Sequence, residues 1–290
     1  MRSEHRAPVR DEDCVRFLQW ALPRLNMRWI GFRKPRRQVC RRLARRLDAL
    51  SLADLAAYRR HLEDHPDEWR VLDGLCRVTI TRFRRDHSTW DRLIAEVLPE
   101  LVRQARARGA DRLRAWSCGC ASGEEAATLS LCWHLGLGAP MALEVVGTDI
   151  DPVVLERAER GCYPSGALRE LAEGWRAAAF EDRGEPPDRW CLRAPYRAPL
   201  SFHRGDVREG APEGRFDLVL CRNLAFTYFD VPLQHRVLGR LVAALWPGGA
   251  LVTGRSEQLP PGHGLDGWAP REGIYRAASR APEAVQLPST

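Results

Sequence analysis

The order of apolar segments predicts an α/β protein: a mostly parallel, doubly wound sheet covered by helices, preceded by a small all-helical domain and carrying a small antiparallel insertion. Three observations predict it. From Leu113 onward, short apolar runs alternate with helical patterns. Residues 13–78 are helical in pattern throughout. Residues 161–203 break the alternation with Gly161, Pro164, Gly166, Gly184, Pro186, Pro187, Pro195 and Pro199.

The elements follow in order. Val39, Leu43 and Leu47 recur at helical spacing among arginines, which marks an amphipathic helix with one buried stripe. Ser51 followed by Asp54 is a capping signal for a helix over 52–63. Asp64-His-Pro-Asp67 interrupts the pattern, and 68–78 resumes it. Thr79-Ile-Thr-Arg-Phe-Arg-Arg-Asp86 reads as a polar, basic connector. A helix over 88–108 presents Trp90, Leu93, Ile94, Val97, Leu98 and Leu101 on one face and stops at Gly109. Strands are expected at 113–118, 142–150, 200–205, 216–221, 250–254 and 273–278, with helices over 124–135, 152–160 and 233–245. Pro247-Gly-Gly249 reads as the turn before the fifth strand. Within the insertion, 190–193 and 200–203 are expected to pair antiparallel. The resulting domains are 1–86 (helices and connector), 87–278 (the sheet domain) and 279–290 (a disordered tail).

Composition narrows the class. No apolar run is long enough to span a bilayer, and residues 1–10 lack the apolar core of a signal peptide. Nine scattered cysteines without a Cys-x-x-Cys pair argue against a disulfide scaffold or a metal site, and for a reduced cytoplasmic setting. The net charge of +7 is uneven: residues 1–86 hold 21 Lys and Arg against 12 Asp and Glu, and the rest hold 24 against 26. The basic N-terminal part suits an acidic protein partner, with nucleic acid the less favoured choice. A solvated Arg-rich helical face is the plainer reading of the same charges.

The chemistry centres on Leu113-Arg-Ala-Trp-Ser-Cys-Gly-Cys-Ala-Ser-Gly-Glu-Glu125, a strand, a glycine turn and an acidic helix start. Gly119 and Gly123 lack a Cβ, so a ligand can lie against the turn's backbone. A phosphate would want donors and a cation there, and Glu124 and Glu125 would repel it. An adenosine carrying a sulfonium and an ammonium suits these carboxylates, so the ligand expected is S-adenosylmethionine. Asp149 ends the second strand 30 residues after Gly119, where an acid can accept both ribose hydroxyls. Asp151 is the better helix cap of the two. The spacing and the Gly-x-x-x-Gly pattern disfavour NAD. Asp206 follows the third strand as a candidate adenine acceptor. Arg222, Asn223 and Tyr228 follow the fourth at its C-terminal end, the edge where open α/β sheets bind ligands. Cys221 reads as a buried structural thiol rather than a nucleophile.

The chain resembles the chemotaxis receptor methyltransferases, the CheR family. The matching residues are Trp116-Ser-x-Gly-Cys-x-Ser-Gly-Glu-Glu125, Gly147-Thr-Asp-Ile-Asp151, Gly161-x-Tyr163, Phe216-Asp-Leu-Val-Leu-Cys-Arg-Asn223, Tyr228-Phe-Asp230 and Gly248-Gly-x-Leu-x-x-Gly-x-Ser-Glu257. The resemblance implies a class I S-adenosylmethionine-dependent methyltransferase (Rossmann-like) fold and methyl esterification of protein glutamates, with the insertion helping to dock the receptor. It also implies that Thr79, Thr81 and Arg85 close over the cofactor, that Glu125 holds its methionine end and Asp149 its ribose, and that Asp206 and Val207 flank the adenine. Arg222 and Asn223 would line the methyl-transfer site. The chain departs from the family pattern at Ala126-Ala-Thr128, usually Pro-Tyr-Ser, and at Arg84, usually Phe. One extra residue before Tyr228 leaves either Thr227 or Tyr228 in the family's tyrosine place. Arg222, with Arg85, is expected to clamp the substrate carboxylate while Tyr228 borders the methyl path, and no metal is expected. A different acceptor (small molecule, RNA or another protein) and a non-catalytic S-adenosylmethionine-binding scaffold are the competing readings.

Overall fold

The structure is a computed structural model that describes residues 9–184 and 189–278. The expected tail at 279–290 lies outside the described residues, as do 185–188 of the insertion. Two compact units emerge: residues 9–78 with 227–233, and residues 79–226 with 234–278.

The first unit is helical, with helices Asp11–Ala21, Arg36–Ala49, Leu55–Asp64 and Glu68–Cys76. Val39, Leu43 and Leu47 are fully buried, as their spacing predicts. The third helix starts later than expected. Its cap is Asp54, whose carboxylate accepts the Ala57 N–H at 2.7 Å, while Ser51 sits in a left-handed turn at φ 53°. Glu68 is buried and ionised: burial opposes the charge, but hydrogen bonds from Arg46 and the Tyr58 hydroxyl hold its carboxyl below the ordinary value. A segment from after the fourth central strand joins this unit. Met27 bridges antiparallel to Phe229, Arg28 N–H donates to Tyr228 O at 2.8 Å, and Asp230 N–H to Asn26 O at 2.8 Å. Sequence periodicity carries no sign of such long-range pairing.

The second unit is built on strands β1 (Arg112–Cys118), β2 (Ala142–Asp149), β3 (Cys162–Tyr163), β4 (Phe180–Asp182), β5 (Trp190–Leu192), β6 (Leu200–Arg204), β7 (Phe216–Cys221), β8 (Leu245–Thr253), β9 (Asp266–Ala269) and β10 (Ile274–Arg276). Seven form one sheet in the order β6-β2-β1-β7-β8-β10-β9, parallel from β6 to β8, with β10 antiparallel to both neighbours. This is the doubly wound sheet expected, with β9 an addition. The apolar face of the helical run 87–107 behaves as its periodicity predicts. Trp90, Leu93, Val97, Leu98 and Leu101 are buried in one core with Leu113, Val145, Leu218, Leu220 and Val252. Pro247-Gly-Gly249 lies within β8, where the pairing with β7 shifts register between Phe216 and Leu218, rather than in a turn ahead of it.

Two expectations about the insertion and the cysteines are corrected. β5 pairs antiparallel with β3 and β4 in a separate three-stranded sheet, whereas β6 runs parallel to β2 in the main sheet. Ala194–Arg197 is a helical turn that separates them, so 190–193 and 200–203 do not pair with each other. The scattered cysteines also form two disulfides, Cys14–Cys40 between two helices and Cys162–Cys191 between opposed residues of β3 and β5. Sequence separations of 26 and 29 residues conceal both, because only the tertiary packing brings each pair together. Cys76, Cys118, Cys120, Cys132 and Cys221 are buried free thiols.

The connector belongs to the second unit and is anchored in the insertion. Phe83 is fully buried, edge-on to Tyr163 (4.8 Å) and Phe180 (5.2 Å), and its N–H donates to Ala167 O at 3.1 Å. Phe83→Ala should therefore cost about 3–5 kcal/mol of unfolding free energy in urea denaturation, through lost burial and an unfilled cavity.

Candidate active site

The C-terminal ends of β1, β2 and β7 converge where the sequence places the candidate residues. Gly119 and Cys120 N–H groups both donate to Thr148 O, at 2.8 and 3.0 Å, which turns the chain sharply off β1. Gly123 adopts φ 88°, a left-handed conformation, and a Cβ there would lie 3.0 Å from Ala158 Cβ and 3.1 Å from Phe202 Cζ. This position tolerates only glycine without strain. Trp116 Nε1 donates to Thr148 Oγ1 at 2.8 Å and ties β1 to β2 beneath the turn.

Asp149 is 9% exposed and accepts the Ala121 N–H at 3.0 Å and the Asp151 N–H at 3.0 Å. Its carboxylate thus braces the turn against the end of β2. Asp151 caps the next helix through the Val153 N–H at 3.0 Å, as expected. Glu124 is buried and accepts the Ser122 hydroxyl at 2.8 Å. Glu125 accepts the Ser117 hydroxyl at 2.8 Å and lies 3.5 Å from Arg222 Nη1.

Arg222 joins the parts. Its side chain is 3% exposed; Nη2 donates to Asp86 Oδ2 at 2.7 Å and to Arg85 O at 2.9 Å, and the guanidinium carbon stands 5.3 Å from the Trp90 ring centroid. Nε is buried without a hydrogen-bond partner. Trp90 Nε1 also donates to Arg85 O, at 2.9 Å. The Arg85 side chain is half-buried and makes one long bond, to Ile80 O at 3.5 Å. Thr79 and Thr81 are half-buried on the same connector.

The two departures after Glu125 and in the connector meet each other. Arg84 N–H donates to Thr128 Oγ1 at 3.1 Å, with Arg84 in a left-handed turn at φ 50°. The Arg84 guanidinium pairs with Asp91 and stacks 4.9 Å over Trp175.

Three candidate residues have partners that composition did not suggest. Asp206 is gripped by Arg208 through Nε (2.9 and 3.0 Å) and its backbone N–H (2.8 Å), with Val207 buried beside it. Asn223 stands in a left-handed conformation at φ 56°, its N–H donating to Glu257 Oε2 at 2.7 Å. Tyr228 belongs to the first unit, its ring 5.1 Å from that of Phe32. Asp86 and Glu257 are the residues that sequence reasoning missed. Glu257 ended a matched motif, which was the available signal; Asp86 closed the connector without any sign of its partner.

The arrangement fits S-adenosylmethionine. Burial pushes the Glu125 carboxyl above its ordinary 4.5, while Arg222 and the Ser117 hydroxyl pull the other way. Its remaining need is for positive charge, and the Gly119–Glu125 turn holds no Lys or Arg to receive a phosphate. Cys118 lies in the same floor with its thiol pushed up by burial and by Cys221, which suits an inert sulfur.

A carboxyl raised in the folded state holds its proton more tightly there than in the unfolded chain. Stability therefore falls as pH rises from about 4.5 through the raised value. Glu125→Gln keeps an acceptor for Ser117 and removes the buried charge. Urea melts across this range should show wild type losing stability relative to the variant, with the difference closing below about pH 4.

Comparison with known proteins agrees with this geometry. Residues 79–266 match the family described as CheR methyltransferase, SAM binding domain, and residues 35–72 match its all-alpha domain. A chemotaxis protein methyltransferase of Listeria monocytogenes is 34% identical over 194 residues, covering 66% of this chain and 71% of that protein. That of Klebsiella aerogenes is 34% identical over 231 residues (77% of this chain, 76% of that one), and that of Escherichia coli 32% over 234 (77% of each). The chain belongs to the CheR methyltransferase family and is an S-adenosylmethionine-dependent methyltransferase.

Proposed function

We propose that this enzyme esterifies glutamate side chains on the cytoplasmic part of a chemoreceptor, and that it works in the cytoplasm. The observation that carries the reading is the contrast between two arginines at one site. Arg222 is engaged at both Nη atoms by Asp86, Arg85 O and Glu125, whereas among the described residues the Arg85 side chain makes one long bond. A carboxylate acceptor needs a cation to receive it and, being ionised near neutral pH, no base to deprotonate it. The side chains hydrogen-bonded around Arg222 and Glu125 are the Asp86 carboxylate, the Ser117 hydroxyl and the Trp90 indole, and the reading asks none of them to act as a base.

When bound, S-adenosylmethionine supplies an electrophilic methyl group on a positively charged sulfur. Glu125 is positioned to take its methionine end, Asp149 its ribose, and Asp206 with Val207 its adenine. Thr79, Thr81 and Arg85 cover it from the connector. Arg85 receives the acceptor carboxylate, with Arg222 behind it fixing the connector's path; Asn223 completes the edge. Catalysis then rests on holding the carboxylate in line and excluding water. The basic helices of the first unit suit the acidic partner.

Labelled S-adenosylmethionine incubated with receptor cytoplasmic fragments should transfer label to protein in base-labile form. Base-stable label would indicate another acceptor atom, and absence of label across receptor fragments would sink the proposal. Arg85→Ala should lower kcat/KM about 100-fold, the worth of a charged hydrogen-bond pair. Arg222→Ala should instead reduce cofactor affinity and unfolding stability together, since it leaves Asp86 and Glu125 without their shared cation.

A further inference from the structure

The motif Gly248-Gly-x-Leu-x-x-Gly-x-Ser-Glu257 ends on a residue with no role in the reading above. We propose that Glu257 is a positioning residue for the cofactor edge: its carboxylate sets the backbone that carries Arg222 and Asn223 off the end of β7.

β7 and β8 are parallel neighbours paired up to Cys221 and Thr253. Beyond that point the strands part, and the N–H groups leaving the ladder need new acceptors. Glu257 is 8% exposed, and one of its oxygens, Oε2, accepts both the Asn223 N–H and the Gly254 N–H at 2.7 Å. Its own N–H returns to Gly254 O at 2.8 Å, which closes a tight turn and aims the side chain back across the gap.

Two further features are built around this carboxylate. Asn223 is held at φ 56°, a conformation that an L residue keeps only where its surroundings fix it. Gly254 has no room for a side chain: a Cβ would lie 2.9 Å from Glu257 Oε2 and 3.0 Å from Asn223 Cγ. The glycine is what lets the carboxylate and the Asn223 loop approach each other. Arg222 is the residue immediately before Asn223, so the direction in which its guanidinium meets Asp86 and Glu125 depends on this bracket.

The proposal rests on the β7 edge being the cofactor edge, and its test reads cofactor binding without any acceptor. Titration calorimetry with S-adenosylmethionine would compare wild type with Glu257→Gln, Glu257→Asp and Glu257→Ala, alongside thermal unfolding of each unliganded protein. The glutamine carbonyl can accept both N–H groups, so this variant should bind within about threefold of wild type. Aspartate is one methylene short, and it and alanine should each weaken binding by about tenfold or more. Gly254→Ala, which displaces the same carboxylate, should share that loss. The aspartate variant decides the case if alanine does not fold. Normal affinity in the aspartate variant, or a loss confined to the unfolding midpoint, overturns the proposal, as does a glutamine variant no better than aspartate. Failure of wild type itself to bind would instead overturn the placement of the cofactor edge.

Discussion

The site depends on one buried cation. Arg222 stands at the end of a central strand with almost no access to water, where an unpaired guanidinium would be prohibitively unfavourable. Its burial is tolerated because two segments distant in sequence bring three acceptors to it: Asp86 and the Arg85 carbonyl from the connector, and Glu125 from the helix after the glycine turn. The dependence is mutual. Removing Arg222 would leave two carboxylates facing each other in a poorly hydrated space, and the connector would lose both of its bonds to β7. The active-site edge is thus assembled by electrostatics, on a sheet assembled by apolar burial.

The departures from the family pattern have a physical logic of their own. Thr128 and Arg84 lie 44 residues apart, yet the Thr128 hydroxyl accepts the Arg84 N–H. The Arg84 guanidinium then covers Trp175 of the insertion and pairs with Asp91. A flat cation over an indole retains much of the contact of an aromatic pair and adds a charge. Together with Phe83, buried among Tyr163, Leu168 and Phe180, this makes the connector part of the insertion's own core. The connector's path is set on one side by that core and on the other by Arg222.

What the sequence revealed was what is local or periodic. The parallel strands, the apolar face of the helix over 88–108, the Asp151 cap and the glycine turn were all legible, because each is specified within a few residues. Pairings across long separations were not. β5 turned away from β6 because Ala194–Arg197 folded as a helical turn, and strand propensity cannot choose between two partners. The two disulfides and the bridge from Met27 to Phe229 likewise arise only once packing has brought the segments together. In the site, charge drew attention to Glu125, and strand-end position to Asp149 and Arg222. Neither could show that both Nη atoms of Arg222 are taken by the protein's own acids, because Asp86 is 136 residues away in the chain.

That engagement separates two arginines that a sequence treats as equals. A guanidinium held by two carboxylates and a carbonyl loses partners if it moves, so Arg222 is fixed and its charge is already balanced. Arg85, bonded among the described residues through its tip to Ile80 O and drawn to Glu125 only by longer-range attraction, keeps most of its rotamer freedom until an incoming group arrives. Its backbone does not share this freedom, because the Arg85 carbonyl is pinned by both Arg222 and the Trp90 indole. A mobile charged tip on an immobile backbone can adapt to a carboxylate on a protein surface without disturbing the floor beneath. The fixed arginine and the adaptable one are therefore not redundant: the first makes the second's position definite.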